Sequence, residues 1–166
     1  METATLTVHF AQRHGAFDRI TSLLRRRGFS LSGTTLERTH RDDVGRMTVV
    51  VTDQLAAEQV RRHLAKLADV LEVRLNPEEG AVQREYVLLR LRCTGPRRTE
   101  LGELLDRHGA RVLVATDDHV VIEASGRRAA IDVLFSDLEP FGIEESARTN
   151  AIAMSHGQDG GSRRSA

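Results

Sequence analysis

Apolar and polar positions alternate at the start of the chain. Leu6, Val8 and Phe10 interleave with Thr5, Thr7 and His9, a period of two that predicts a half-buried strand over 5–10. The period then changes. Ala16, Phe17, Ile20, Leu23 and Leu24 fall at helical spacing, Arg25, Arg26 and Arg27 close the last turn, and Gly28 follows as a stop. The three arginines read either as a solvated helix end or as a phosphate patch. A second strand is expected over 29–38, softened by Gly33, and Asp42, Asp43 and Gly45 mark a turn. Residues 46–52 alternate Met47, Val49 and Val51 against Thr48 and Val50. Asp53 is placed to cap a helix striped by Ala57, Val60, Leu64 and Leu67, and a strand over 70–75 ends before Pro77.

The same order then recurs. A strand over 86–93, a helix striped by Leu101, Leu104, Leu105 and His108, strands over 111–116 and 119–125, a helix over 130–138 and a strand over 143–147 repeat the first unit. Pro77 to Gly80 has the composition of a hinge. The Gly-, Ser- and Arg-rich stretch from Gly157 has the composition of a disordered tail. A βαββαβ unit closes as a ferredoxin-like sandwich, with both helices on one face of an antiparallel sheet. The expected fold class is therefore α+β: two tandem ferredoxin-like units, residues 1–77 and 84–157, with a hinge at 78–83 and a tail at 158–166. In this arrangement Thr5, Thr7 and His9 lie on an open face, polar but uncharged. Bare edge strands invite pairing with a second copy, so the first unit is expected to dimerise.

The 166 residues carry 24 basic and 24 acidic side chains, so no whole-chain field calls for nucleic acid or a membrane surface. Cys93 alone supports neither a disulfide framework nor a thiolate metal site, which points to a reducing cytoplasm. No apolar run approaches the ~20 residues of a membrane helix, and the N-terminus lacks a signal-peptide layout. Nucleophile elbows, phosphate loops, dinucleotide fingerprints and zinc-protease helices are missing. The histidines are scattered, so no metal site is expected. Asp42-Asp43 and Asp117-Asp118 are carboxylate pairs in turns, where aspartate bonds the local backbone. No residue is assigned a catalytic role. The central strand lacks the aromatic side chains that RNA-recognition modules use to stack bases.

A glycine at a strand-to-helix junction frees backbone N–H groups, and such a helix start attracts an anion or a carboxylate. Gly15 either serves that purpose or is a plain turn glycine.

The run Gln12-Arg13-His14-Gly15-Ala16-Phe17-Asp18-Arg19-Ile20, followed by Arg27-Gly28-Phe29, resembles the start of the ACT-domain regulatory (small) subunit of acetolactate synthase. There the sequence reads roughly N-x-x-G-A-L-x-R-[VI], then R-G-[YF]-N-[IL]. Further matches follow in order: Arg46 to Val49, Leu64 to Val70, Arg84-Glu85-Tyr86-Val87-Leu88, Ala147-Arg148-Thr149-Asn150 and Met154-Ser155-His156-Gly157. The resemblance spans residues 5 to about 157. It implies an N-terminal ACT domain that dimerises, followed by the ferredoxin-like C-terminal domain typical of that family. It also implies a chain without cofactors of its own. The partner is then a catalytic large subunit that carries thiamine diphosphate, Mg²⁺ and FAD and condenses two pyruvates. By the same resemblance the chain raises the partner's activity and confers feedback inhibition by valine in branched-chain amino acid biosynthesis. The effector site implied lies at the ACT dimer seam, at Gln12, His14, Gly15, Ala16, Ser30 and Leu31.

The chain departs from that pattern where Gln12 and Ser30 replace asparagines, and where Arg13 and His14 occupy the turn. A weakened or altered effector response is the expectation. The alternative reading is a free-standing tandem ACT sensor acting on some other protein.

Overall fold

The computed structural model describes residues 3–76, 80–95 and 97–156. Of the expected hinge, Pro77, Glu78 and Glu79 lie outside these residues, as does the expected tail. Chain contacts divide the protein into two compact units. One is built from the chain up to Gln83 together with the segment from Ala151, the other from Arg84 to Asn150.

In the first unit, strand β1 (Ala4–Ala11), helix α1 (Ala16–Arg26), strands β2 (Leu31–Arg38) and β3 (Val44–Val51), helix α2 (Gln54–Leu64) and strand β4 (Val70–Asn76) follow in chain order. The sheet order is β2-β3-β1-β4, all antiparallel. Leu6, Val8, Phe10, Met47, Val49 and Val51 point to one face and pack against Ile20, Leu24, Val60 and Leu64 of the helices. The carboxylate of Asp53 accepts from the Leu55 N–H at 2.9 Å and starts α2, as its position predicted.

The opposite face departs from expectation. Thr5 and Thr7 are 5% and 3% exposed, not open to solvent. A strand that the hydrophobic pattern does not predict, β9 (Ile152–Ser155), belongs to this unit and lies over that face. Ala153 is fully buried there, and its carbonyl accepts from the Arg46 guanidinium. The His156 N–H donates to the Gly80 carbonyl at 3.1 Å. The threonine hydroxyls, no longer in water, find partners instead. Asn76 Nδ2 donates to Thr7 Oγ1 at 2.7 Å and Thr5 Oγ1 donates to Gln83 Oε1 at 3.4 Å.

Nor is the face uncharged. Register places Glu37, Arg46, His9 and Glu72 in one row across β2, β3, β1 and β4, because Glu37 pairs Arg46, Arg46 pairs His9 and His9 pairs Glu72. Glu37 and Arg46 form an ion pair, and Thr48 Oγ1 donates to Glu37 Oε1 at 2.5 Å. Arg74, one row along, holds Glu72 at 2.8 Å.

The second unit repeats the topology. The elements are β5 (Ala81–Arg92), α3 (Arg97–His108), β6 (Arg111–Ala115), β7 (His119–Gly126), α4 (Arg128–Leu138), a 3₁₀ turn (Glu139–Phe141) and β8 (Ile143–Arg148). Ala81 to Gln83, assigned to a hinge on composition, are the first residues of β5. The sheet order is β6-β7-β5-β8. Val87, Leu89, Leu91, Ile122, Leu101, Leu105, Ile131 and Leu134 form its core, with Cys93 buried among them. Both units are ferredoxin-like βαββαβ folds. No helix among the described residues is long and apolar enough to cross a membrane.

Candidate effector site

The turn from β1 into α1 is fixed by its own backbone. The Ala11 N–H donates to the Asp69 carbonyl and the Gln12 N–H to the Asp43 carbonyl, both at 2.8 Å, so the strand end is tied to two neighbouring loops. Gly15 adopts φ 74°, the left-handed region that favours glycine, and forms the N-cap of α1 with no side-chain cap. A Cβ at Gly15 would stand 2.9 Å from a guanidinium nitrogen of Arg19. That guanidinium is itself held. Its Nε donates to Asp69 Oδ2 at 2.6 Å, and Nη2 to the His14 carbonyl at 3.3 Å. The Ala16 N–H donates to the Arg13 carbonyl at 3.0 Å, and the partial positive charge at the start of α1 suits a carboxylate.

Gln12 is placed by Gly45, a glycine whose sequence context signals no more than a turn. A Cβ on Gly45 would come within 2.4 Å of the Phe10 ring and 2.6 Å of Gln12 Oε1. Gly45 therefore lets the Phe10 ring and the Gln12 amide lie flat on β3. Gln12 shares a 210 Å³ cleft with the end of β2, where Leu36, Arg38 and Thr39 form the opposite wall.

The candidate residues do not all meet within one chain. Gln12, His14, Gly15 and Ala16 follow the end of β1, where Ala11 pairs with Val44. Leu31 pairs with Val51, which pairs with Ala4 at the far end of the same sheet. Seven residues of strand, roughly 23 Å, separate the two ends. At that far end the Ser30 carbonyl is already taken, accepting from the Thr52 N–H at 3.2 Å.

The carboxylate pairs prove local. Asp43 is bound by Arg41 at 2.7 Å, and Asp118 Oδ1 takes His119 Nδ1 at 2.7 Å and the Thr116 hydroxyl at 3.1 Å. These contacts hold both carboxyls below the usual aspartate range. Among the described residues no group of three His, Cys, Asp or Glu side chains could hold a metal ion.

By fold the chain is a two-unit ferredoxin-like protein, with a glycine at the first helix start that no side chain caps. Residues 6–72 match the model of the AHAS small subunit-like ACT domain, and residues 84–157 match the model of the small subunit of acetolactate synthase. The acetolactate synthase small subunit of Mycolicibacterium smegmatis is 31% identical over 159 residues, covering 95% of this chain and 94% of that protein. That of Bacillus subtilis is 33% identical over 155 residues, covering 92% and 89%. The crystal structure of the Thermotoga maritima acetolactate synthase small subunit superposes with a TM-score of 0.85 at 23% identity, covering 94% of this chain and 98% of that one. The chain belongs to the acetolactate synthase small-subunit family. Within that family it is a regulatory small subunit of acetolactate synthase.

Proposed function

We propose that this subunit raises the activity of a thiamine-dependent catalytic subunit and makes it responsive to a branched-chain amino acid. The effector lodges at a seam between two copies of the first unit. The observation that carries this reading is the separation of the Gln12–Ala16 turn from Ser30 and Leu31 within one chain. Strand β2 is an edge of its sheet, and Leu36 on it is 58% exposed. Two β2 edges paired antiparallel about a two-fold axis bring the Leu31 end of one copy beside the Arg38 end of the other. Arg38 and Gln12 line one cleft, so the second copy's Ser30 and Leu31 come next to the first copy's Gly15 turn. The α-carboxylate sits on the α1 helix start, a placement worth about 0.3–1 kcal/mol, or up to ~2 kcal/mol when partly buried. Binding there biases the assembly between two states, which is how a remote catalytic centre feels it.

The response is weak. Gln12 is one methylene longer than asparagine, and Ser30 lacks an amide. A hydrogen bond to a charged group contributes about 1.5–3 kcal/mol. Losing one or two of them lowers affinity roughly tenfold to several hundredfold. In this reading thiamine diphosphate, Mg²⁺ and FAD belong to the large subunit, where two pyruvates are condensed. Reconstitution with that subunit tests the proposal. Acetolactate formation rises on adding this chain, and valine inhibits only at raised concentration. No change in rate on mixing would refute the activating role, and tight valine binding by calorimetry would refute the weakened response.

A further inference from the structure

Asp69 grips the turn from β1 into α1 at two points. Its carbonyl accepts from the Ala11 N–H at 2.8 Å. Its carboxylate takes Nε of Arg19 at 2.6 Å, and Nη2 of the same guanidinium donates to the His14 carbonyl at 3.3 Å. Gln12, His14, Gly15 and Ala16 all lie between the two grips. Asp69 itself stands 50 residues beyond Arg19, in the loop between α2 and β4.

A register shift aims Asp69 at the turn. His9 pairs with Glu72 but Phe10 pairs with Val70, so Leu71 is left over as a bulge. The extra residue moves the chain by one position and sets Asp69 opposite Ala11. Without the bulge Val70 would take that place. Bulges that re-aim a side chain recur beside functional sites. The bond to Ala11 asks only for a backbone carbonyl, which any residue supplies. The carboxylate is needed for Arg19 alone, its one cation among the described residues. It is buried, and a buried carboxylate is costly without such a partner. The guanidinium in turn lies over Gly15, its Nη1 2.9 Å from where a Cβ would stand.

We propose that Asp69 and Arg19 are positioning residues of the effector site. They hold the Gln12–Ala16 turn in the conformation that presents the start of α1, and Asp69 ties that turn to the α2–β4 loop. The inference rests on the seam reading for its ligand. Reaching Asp69 and the His14 carbonyl together requires the planar fork of arginine, which lysine lacks.

The test uses the full chain, reconstituted with the catalytic subunit. Asp69→Asn is isosteric and keeps the backbone grip, and Arg19→Gln removes the fork. Each raises the valine concentration for half-inhibition about fivefold to thirtyfold, the worth of a placement at a helix start. Arg19→Lys keeps the ion pair and the melting temperature, yet loses the His14 contact and shifts the valine response partway. Hydrogen exchange gives a readout that needs no effector. The Arg13 and Ala16 amides are bonded within the turn, at 2.7 and 3.0 Å. In Asp69→Asn and Arg19→Gln they speed up about tenfold more than the Leu6 and Val49 amides of the core strands. A merely structural pair would speed all four alike. If the parent chain ignores valine, the seam reading fails and the exchange result alone decides the positioning role. Turn amides that only keep pace with the core overturn the proposal. So does an unchanged half-inhibition in both variants beside a valine-responsive parent.

Discussion

Arg148 and Glu85, 63 residues apart in sequence, meet with Nε donating to Oε2 at 2.6 Å. The Glu85 side chain is 7% exposed, and the same guanidinium holds Asp132 at 2.6 Å and lies 5.6 Å from the centre of the Phe135 ring. Two separate stretches of the family resemblance, one around Arg84-Glu85-Tyr86 and one around Ala147-Arg148, are thus a single contact. Arg148→Ala leaves a buried carboxylate without its cation. It is expected to destabilise the second unit by about 3 kcal/mol, read from urea unfolding. Arg148→Lys keeps the charge but loses the planar fork, and should recover only part of the loss.

Gly45 packs against the Phe10 ring, and any side chain there displaces it. Phe10 is itself buried in the first core. Gly45→Ala is expected to cost about 1–3 kcal/mol by overpacking and to shift the Gln12 side chain. A matching loss of denaturation midpoint, with amide shifts centred on Gln12 and Phe10, checks it.

His9 supplies a pH dependence. Burial, and then the positive charge of Arg46, hold its pKa below the ordinary histidine value, against the opposing pull of Glu72. Arg74 also faces it and acts with Arg46. The folded state therefore prefers the neutral ring. Stability from this group is complete above the unfolded pKa of about 6.5 and is lost as pH falls from there toward the depressed folded value. His63, also depressed, acts in the same direction. The melting temperature should fall between pH 7.5 and 5, and His9→Gln should flatten that slope. An unchanged slope in the variant would assign the effect elsewhere.

The proposed seam depends on the β2 edge. Leu36 stands uncovered at that edge, so Leu36→Glu should leave the fold of a single chain intact. It should also shift the mass in solution from dimer to monomer, measured by light scattering, and abolish the response to valine in the reconstituted enzyme. A variant that stays dimeric would place the interface on another surface.

The helix-facing half of the first sheet is legible in the sequence because Leu6, Val8 and Phe10 and then Met47, Val49 and Val51 keep a strict period of two. The helix ends are legible because Asp53 and Gly28 are chemically suited to them. The charged row is not. Glu37, Arg46, Glu72 and Arg74 each read alone as a solvated position, and only strand register lines them up with His9. Their common phase on successive strands is the one signal that could raise the question. Strand β9 escapes the pattern because four residues are too few to establish a period, and its partners lie far back in the chain. The family resemblance groups the site residues together, yet the antiparallel register sets Ser30 and Leu31 at the opposite end of the sheet from Gly15.

Ala153 contributes its carbonyl to Arg46, a residue made more than a hundred positions earlier. Biosynthesis must therefore wait. While the ribosome is still translating the middle of the protein, its oldest module carries a guanidinium without this acceptor. A fragment ending at residue 76 would be frozen in that immature condition, less stable and stickier than the same stretch in the finished molecule. Attempts to study the regulatory module in isolation should carry the last strand with it.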